Sequence, residues 1–240
     1  MNVMACGSLV KTFCGIGLTS LLALAPGWAT RAQAAGEGLP CWNAASQPKG
    51  TANSCCPQAF LDQSFPRTPI SLSQAICELL VFPTDSRAEV DVFRQLVVNE
   101  SVVRDNTPAA TVMTQPSLWW KRDSIPARLG GHRLVESWLA YQRQHSSASI
   151  IDVVISPQFW QGLTLPERYG VLNQFGHIAQ ELGYHLRLLD NNGYAARLVG
   201  IYACIGDDCL ATVDGDQLSR LQQGAIAHAA QPTPSPSLGR

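Results

Sequence analysis

At 240 residues, with 46 % hydrophobic and 15 % charged positions, the chain has enough apolar material for a buried core and is not disordered throughout. Seventeen basic residues against 18 acidic ones leave a formal net charge of −1. The basic residues are not clustered, which argues against nucleic-acid binding by counterion release.

The first 34 residues read as a secretory leader. Lys11 supplies the positive charge, "FCGIGLTSLLAL" (13–24) the apolar run, Pro26 and Gly27 the break, and Ala32-Gln33-Ala34 the small-x-small cleavage pattern. The apolar run is shorter than the ~20 residues of a membrane span, so cleavage after Ala34 and no remaining span are expected. Cleavage removes Lys11 and Arg31 and leaves 15 basic against 18 acidic residues. It also removes Cys6 and Cys14. The six cysteines left, Cys41, Cys55, Cys56, Cys77, Cys204 and Cys209, fit up to three disulfides in an exported chain. No CxxC pair occurs, so neither a thioredoxin-like site nor a zinc ribbon has its spacing.

Residues 35–70 are rich in Gly, Pro, Ser and Asn and read as irregular. The adjacent Cys55 and Cys56 would close a strained small ring, so each is expected to bond elsewhere, with Cys41 and Cys77 the nearest candidates. A helix is expected from Ser71, where Ser71 and Gln74 match a capping box. Its apolar face is Ala75, Ile76, Leu79 and Leu80, and Pro83 stops it. A second is expected from Asp85–Ser86, with Ser86 and Glu89 as its box and Ala88, Val92, Phe93, Leu96 and Val97 facing inward. Residues 101–115 read as a connector.

Pro116 suits the first turn of a short helix that carries Trp119 and Trp120. Residues 133–141 alternate as a strand, with Leu134, Glu136, Trp138 and Ala140 on one face and Val135, Ser137, Leu139 and Tyr141 on the other. Both faces carry apolar residues, as on an inner strand. Residues 149–155 form a second strand, with Ile151, Val153 and Ile155 together. Leu165 to Leu182 is the clearest helix: Val171, Phe175, Ile178 and Leu182 recur at helical spacing, and Gly183 fits a left-handed stop. Tyr184–Leu189, the turn "DNNG" (190–193) and Tyr194–Cys204 read as a hairpin. "CLATV" is a further strand, and a four-residue loop between Cys204 and Cys209 would set them opposite each other, which predicts their bond. Asp216–Ala230 reads as a last helix and 231–240 as a disordered Pro/Ser tail.

The expected fold is α+β: an antiparallel sheet of about four to five strands with a long helix on one face, in the order α-β-β-α-β-β-β-α. A small helical, disulfide-stapled region precedes it. The expected divisions are a leader at 1–34, a Cys-containing region at 35–115, an α+β domain at 116–230 and the tail. This order is similar to that of profilin-like and roadblock-type domains, a likeness of fold only.

The series Pro116-Ser117-Leu118-Trp119-Trp120, Gly130-Gly131, Trp138-x-Ala140-Tyr141, Glu167-Arg168-Tyr169 and Gly183-Tyr184-x-Leu186-Arg187 resembles a group of uncharacterised cyanobacterial exported proteins, over roughly residues 116–204. The group has no established activity, so the resemblance implies no functional residues. It implies a periplasmic or thylakoid-lumenal location. This chain departs from it by a longer stretch, with Pro126, between the tryptophans and Gly130.

No motif dictates chemistry. His177 and Glu181 lie four apart on the main helix with His185 beyond, but HExxH spacing is absent, and an i,i+4 pair on a solvated face accounts for them. Asp207 and Asp208 read as a polar hairpin tip rather than a cation site. Glu167, beside Arg168, suits the positive end of a helix. Ser146 and Ser147 beside His145 lack a nucleophile-elbow context. No catalytic residue, metal ligand or cofactor is expected. Adjacent helical residues diverge by ~100°, so one of Trp119 and Trp120 should be core and the other marginal. The expected binding residues are therefore Trp119, Trp120, Trp138 and Tyr141, in an exported accessory protein that binds an unknown protein partner or small ligand. Two alternatives are an exported hydrolase drawing on Glu136, Asp152 or His185, and a purely structural envelope or lumenal interaction protein.

Overall fold

The structure, a computed structural model, describes residues 56–106, 116–144, 149–191 and 193–229. The leader at 1–34, Cys41, Cys55, His145, Ser146, Ser147 and the tail at 231–240 lie outside the described residues.

Six strands form one sheet in chain order: β1 (Val103–Arg104), β2 (Val135–Gln142), β3 (Ser149–Ile155), β4 (Tyr184–Asn191), β5 (Ala196–Ile205) and β6 (Asp208–Val213). The sheet is mostly antiparallel, within the expected α+β class. β1 pairs over only two residues, too few for a period to mark them in the expected connector. One pair departs from a meander: β3 and β4 are parallel. The chain leaves β3 through α5 (Pro157–Trp160) and α6 (Leu165–Glu181), and the long helix carries it back to the end where β3 began.

Both faces of the sheet are covered. On one, Val171, Leu172 and Phe175 of α6 pack over Ile151, Val153, Leu186 and Leu188. On the other, Ile76 and Leu79 of α2 (Ile70–Val81) join Leu139, Ile150 and Ile201. That side also holds α1 (Gln58–Ser64), α3 (Val90–Leu96) and α7 (Asp216–Ala229), through Phe60, Phe93 and Leu218. Helix α1 lies where the composition suggested irregular chain; Phe60 and Leu61 are its buried anchors. Covering both faces explains why β3 and β4 read as nearly unbroken apolar runs.

Local details correct the expected caps and faces. Helix α2 begins at Ile70 behind Pro69 and has no side-chain cap, so the Ser71–Gln74 box is not formed. Helix α3 begins only at Val90, because the Glu89 carboxylate accepts the Thr84 backbone N–H and hydroxyl, both at 2.7 Å, and holds residues 84–89 as a turn. In β2 a bulge at Glu136 breaks the alternation: Val135 pairs with Ile155 and Ser137 with Val154. Val135 therefore joins Trp138 in the core under α6, not Leu139 and Tyr141 on the opposite face.

Elsewhere the helix stop at Gly183 and the Cys204–Cys209 bond lie where the spacing places them. Thr164 and Glu167 close a capping box on α6, with Glu167 Oε2 2.9 Å from the Thr164 N and 2.8 Å from its hydroxyl. Those two bonds hold the Glu167 carboxyl below its usual range, the backbone one most strongly. Gly183, at φ 76°, stops the helix. Cys56 bonds Cys77 with Cα atoms 6.2 Å apart, tying the start of the described chain to α2. Cys204 bonds Cys209 across a register pair, Cα atoms 4.1 Å apart. Ile205 and Asp208 pair as well, so the turn is the two residues Gly206 and Asp207 rather than four. No helix among the described residues is long and apolar enough to cross a membrane.

Candidate functional site

The charges inside the sheet come from single polar residues in apolar strands. Asp152 lies in "SIIDVVI" and Arg187 in "YHLRLLDN"; strand alternation turns both toward the α2 face. They are register partners on the parallel strands β3 and β4. Arg187 is 1 % and Asp152 2 % exposed. The guanidinium grips the carboxylate with two bonds of 2.7 Å, Nε to Oδ1 and Nη2 to Oδ2. The Tyr141 hydroxyl donates to Asp152 Oδ2 at 3.0 Å and accepts from Arg187 Nη2 at 2.9 Å. The remaining arginine protons reach the carbonyls of Phe82 (2.5 Å) and Leu79 (3.4 Å), with Pro83 O at 3.2 Å from Nη2. Those carbonyls close the C-terminal end of α2, so one buried cation both neutralises Asp152 and caps a helix.

An aromatic shell surrounds this hub. Phe82 stacks on Tyr141 at 5.9 Å, Phe93 meets Tyr141 edge-on at 4.9 Å, and both Arg143 and Arg187 lie 5.7 Å from the Phe82 ring. Burial raises the Tyr141 pKa well above its ordinary value, and the Asp152 carboxylate adds to the effect. Burial works against the Arg187 charge, but Asp152 and the surrounding anionic and hydroxyl groups outweigh it and raise its pKa. The hub is thus a locked ion pair.

A cavity of about 150 Å³ opens at the carboxyl end of β3 and β4, with Thr84, Asp85, Arg104, Ser137, Asp152 and Asn191 among its walls. Asp85 and Arg104 pair at 2.7 Å. Both Asp152 oxygens are already engaged by Arg187 and Tyr141. The cavity therefore offers hydrogen-bonding walls but no uncommitted Asp152 base.

The four aromatic residues expected to form a binding margin do not share one surface. Trp138 is buried under α6 and meets Trp119 edge-on at 4.6 Å. Arg122 covers Trp119 at 4.2 Å. Tyr141 is fully buried in the hub on the opposite face. Trp120 is 77 % exposed. It stands on α4 (Pro116–Asp123) beside Lys121 and Arg122. The 3-10 turns Ala127–Leu129 and Gly131–Arg133 follow, the second in contact with α4, and they carry exposed Arg128 and Arg133. Residues 116–133 hold four basic residues and one acidic, and two of the basic ones are paired, Arg122 with Asp123 at 2.9 Å and Arg128 with Glu167 at 3.3 Å.

Comparison of the chain with protein-family models, with curated proteins and with solved structures finds no match.

The remaining candidates are scattered. Glu136 is exposed on the bulge. His177 and Glu181 are exposed on α6, on the face of the sheet opposite His185. His185 is 7 % exposed, and its Nδ1 has no hydrogen-bond partner. Burial, aided by the Arg143 charge, lowers its pKa to about 4. Asp207 and Asp208 are exposed at the β5–β6 turn. Among the described residues no group of three or more His, Cys, Asp or Glu side chains could hold a metal ion. Arg168 joins Asp214 at 2.9 Å, and Asp214 also accepts the Trp160 indole N–H at 3.2 Å, a tie between the start of α6 and the end of β6.

Pattern reading missed the Arg187 hub. The signal was present: an arginine flanked by leucines in an inner strand has no solvent to reach and must meet an acid.

Proposed function

We propose that the protein is an exported accessory module that works by non-catalytic binding, and that Trp120 is the anchor of its binding surface. The observation that carries this reading is the division of the tryptophan pair. Trp119 is held between Trp138 and Arg122, whereas Trp120 leaves 77 % of its surface to solvent. A large aromatic ring left exposed on a short helix suits a protein partner with an apolar pocket. The two disulfides support an oxidising compartment, as does the leader-like start of the sequence. The resemblance of the motif series to that of cyanobacterial exported proteins points to periplasm or thylakoid lumen.

The hydrolase alternative has less support. Glu136, Asp152 and His185 do not converge, and the Asp152 carboxylate is committed to Arg187 and Tyr141.

The test is affinity capture from an envelope or lumenal extract, with wild type, Trp120→Ala and Trp119→Ala proteins immobilised in parallel. The reading expects Trp120→Ala to lose a captured partner while keeping the wild-type melting temperature. If neither variant changed the captured set and Trp119→Ala only melted earlier, the surface reading would be refuted.

A further inference from the structure

Among the described residues the two disulfides occupy opposite settings. Cys56 and Cys77 are 2 % and 0 % exposed and belong to the core beneath α2. Cys204 is half-buried, and Cys209 is exposed on the hairpin of β5 and β6. A thiolate must reach a sulfur along the bond axis to open a disulfide, so access decides which bond reacts, and exposed disulfides are the labile ones.

We propose that Cys204–Cys209 is a reversible thiol–disulfide exchange site, opened by a dithiol reductant while Cys56–Cys77 stays closed. The reductant's thiolate attacks the sulfur of Cys209, the more exposed of the two residues. A mixed disulfide forms, and Cys204 leaves as a thiolate and takes up a proton. The reductant's second thiol then attacks its own sulfur in the mixed disulfide and releases Cys209. The protein gains two electrons and two protons, and the dithiol becomes a disulfide.

The surroundings let this bond open without loss of the fold. Ladder pairs Ala203–Leu210 and Ile205–Asp208 flank it, and β5 is held on its other side by β4. It joins residues five apart, against 21 for Cys56–Cys77, so it restricts the unfolded chain less. Exposed Asp207 and Asp208 immediately precede Cys209 on the hairpin, and their charge opposes the approach of an anionic thiolate.

The experiment treats the folded full chain with graded dithiothreitol at neutral pH, alkylates free thiols at intervals and maps them by mass spectrometry, with circular dichroism in parallel. Cys204 and Cys209 are expected to be alkylated at least about tenfold faster than Cys56 and Cys77, with the spectrum unchanged. Oxidised dithiothreitol should restore the bond. Glutathione should leave its adduct on Cys209 rather than Cys204. Asp207→Asn with Asp208→Asn should quicken glutathione attack about threefold at low salt and less at high salt. Equal rates for the two disulfides would overturn the proposal, as would opening of Cys204–Cys209 only together with loss of the folded spectrum. An adduct mainly on Cys204 would overturn the order of attack. A Cys204→Ser/Cys209→Ser protein that fails to fold would show the bond to be structural and sink the exchange site.

Discussion

Arg187 and Asp152 face each other across the one parallel strand pair of the sheet, joined by two bonds of 2.7 Å and nearly without solvent. A buried ion pair of this kind specifies geometry more surely than it adds stability, since desolvation opposes much of the Coulomb attraction. Removing one member is different, because the other charge is left stranded. Arg187→Met should destabilise the fold by about 3–5 kcal/mol in urea unfolding. Arg187→Lys should lose much of the same, because a lysine cannot grip the carboxylate twice and still reach the α2 carbonyls. The double variant Arg187→Met/Asp152→Leu should recover a large part of the loss. A double variant no more stable than Arg187→Met would contradict this account.

Tyr141→Phe tests the third member. The ring stays stacked against Phe82 and Phe93, and only the hydroxyl between Asp152 and Arg187 disappears. A loss of about 1–2 kcal/mol is expected from denaturant midpoints, without a change of slope.

His185 should make the fold acid-sensitive. Its folded pKa is about 4, against 6.5 for the ordinary imidazole, because burial and Arg143 disfavour the charged ring. Arg143 in turn pairs with Glu78 of α2 at 2.7 Å. The unfolded chain binds the proton first. Stability from this group is therefore complete above pH 6.5 and declines as pH falls toward 4. The loss is on the order of 3 kcal/mol by linkage. His185→Leu should flatten that part of the stability–pH curve, as measured by urea unfolding at pH 7, 5.5 and 4; an unchanged slope would exclude His185 as its source.

Gly176 lets α6 approach β5. A Cβ built there would lie within 2.6 Å of three Tyr202 ring atoms. Gly176→Ala should cost about 1–3 kcal/mol through overpacking, and Gly170→Ala, with open space around it, should not. Thermal melts of the two variants provide the comparison.

The adjacent tryptophans should separate in stability as they do in exposure. Trp119→Ala removes the edge-on contact with Trp138 and should cost about 2–4 kcal/mol, whereas Trp120→Ala should stay within about 0.5 kcal/mol of wild type. Equal losses in urea unfolding would mean that both rings carry packing.

Several parts of this architecture are local and were legible from the chain. Helix α6, its stop at Gly183 and strands β2 to β6 follow from spacing within a few residues. So does Cys204–Cys209, since a short hairpin brings its two ends together. The division of the tryptophan pair follows from helical geometry alone, although not which ring faces solvent.

Other parts depended on segments meeting across the sheet. Arg187 bonds the Leu79 carbonyl 108 positions away, and no local pattern carries such a partnership. The parallel pairing of β3 and β4, the bulge that turns Val135 toward Trp138 and the covering of the second face by α2 and α7 are of the same kind. A sequence by itself determines which residues must avoid water, through hydrophobic period and turn chemistry. Which residues then meet is decided only when both faces of the sheet are closed, because burial is non-directional while the hydrogen bonds of Asp152, Arg187 and Tyr141 are satisfied in only one arrangement.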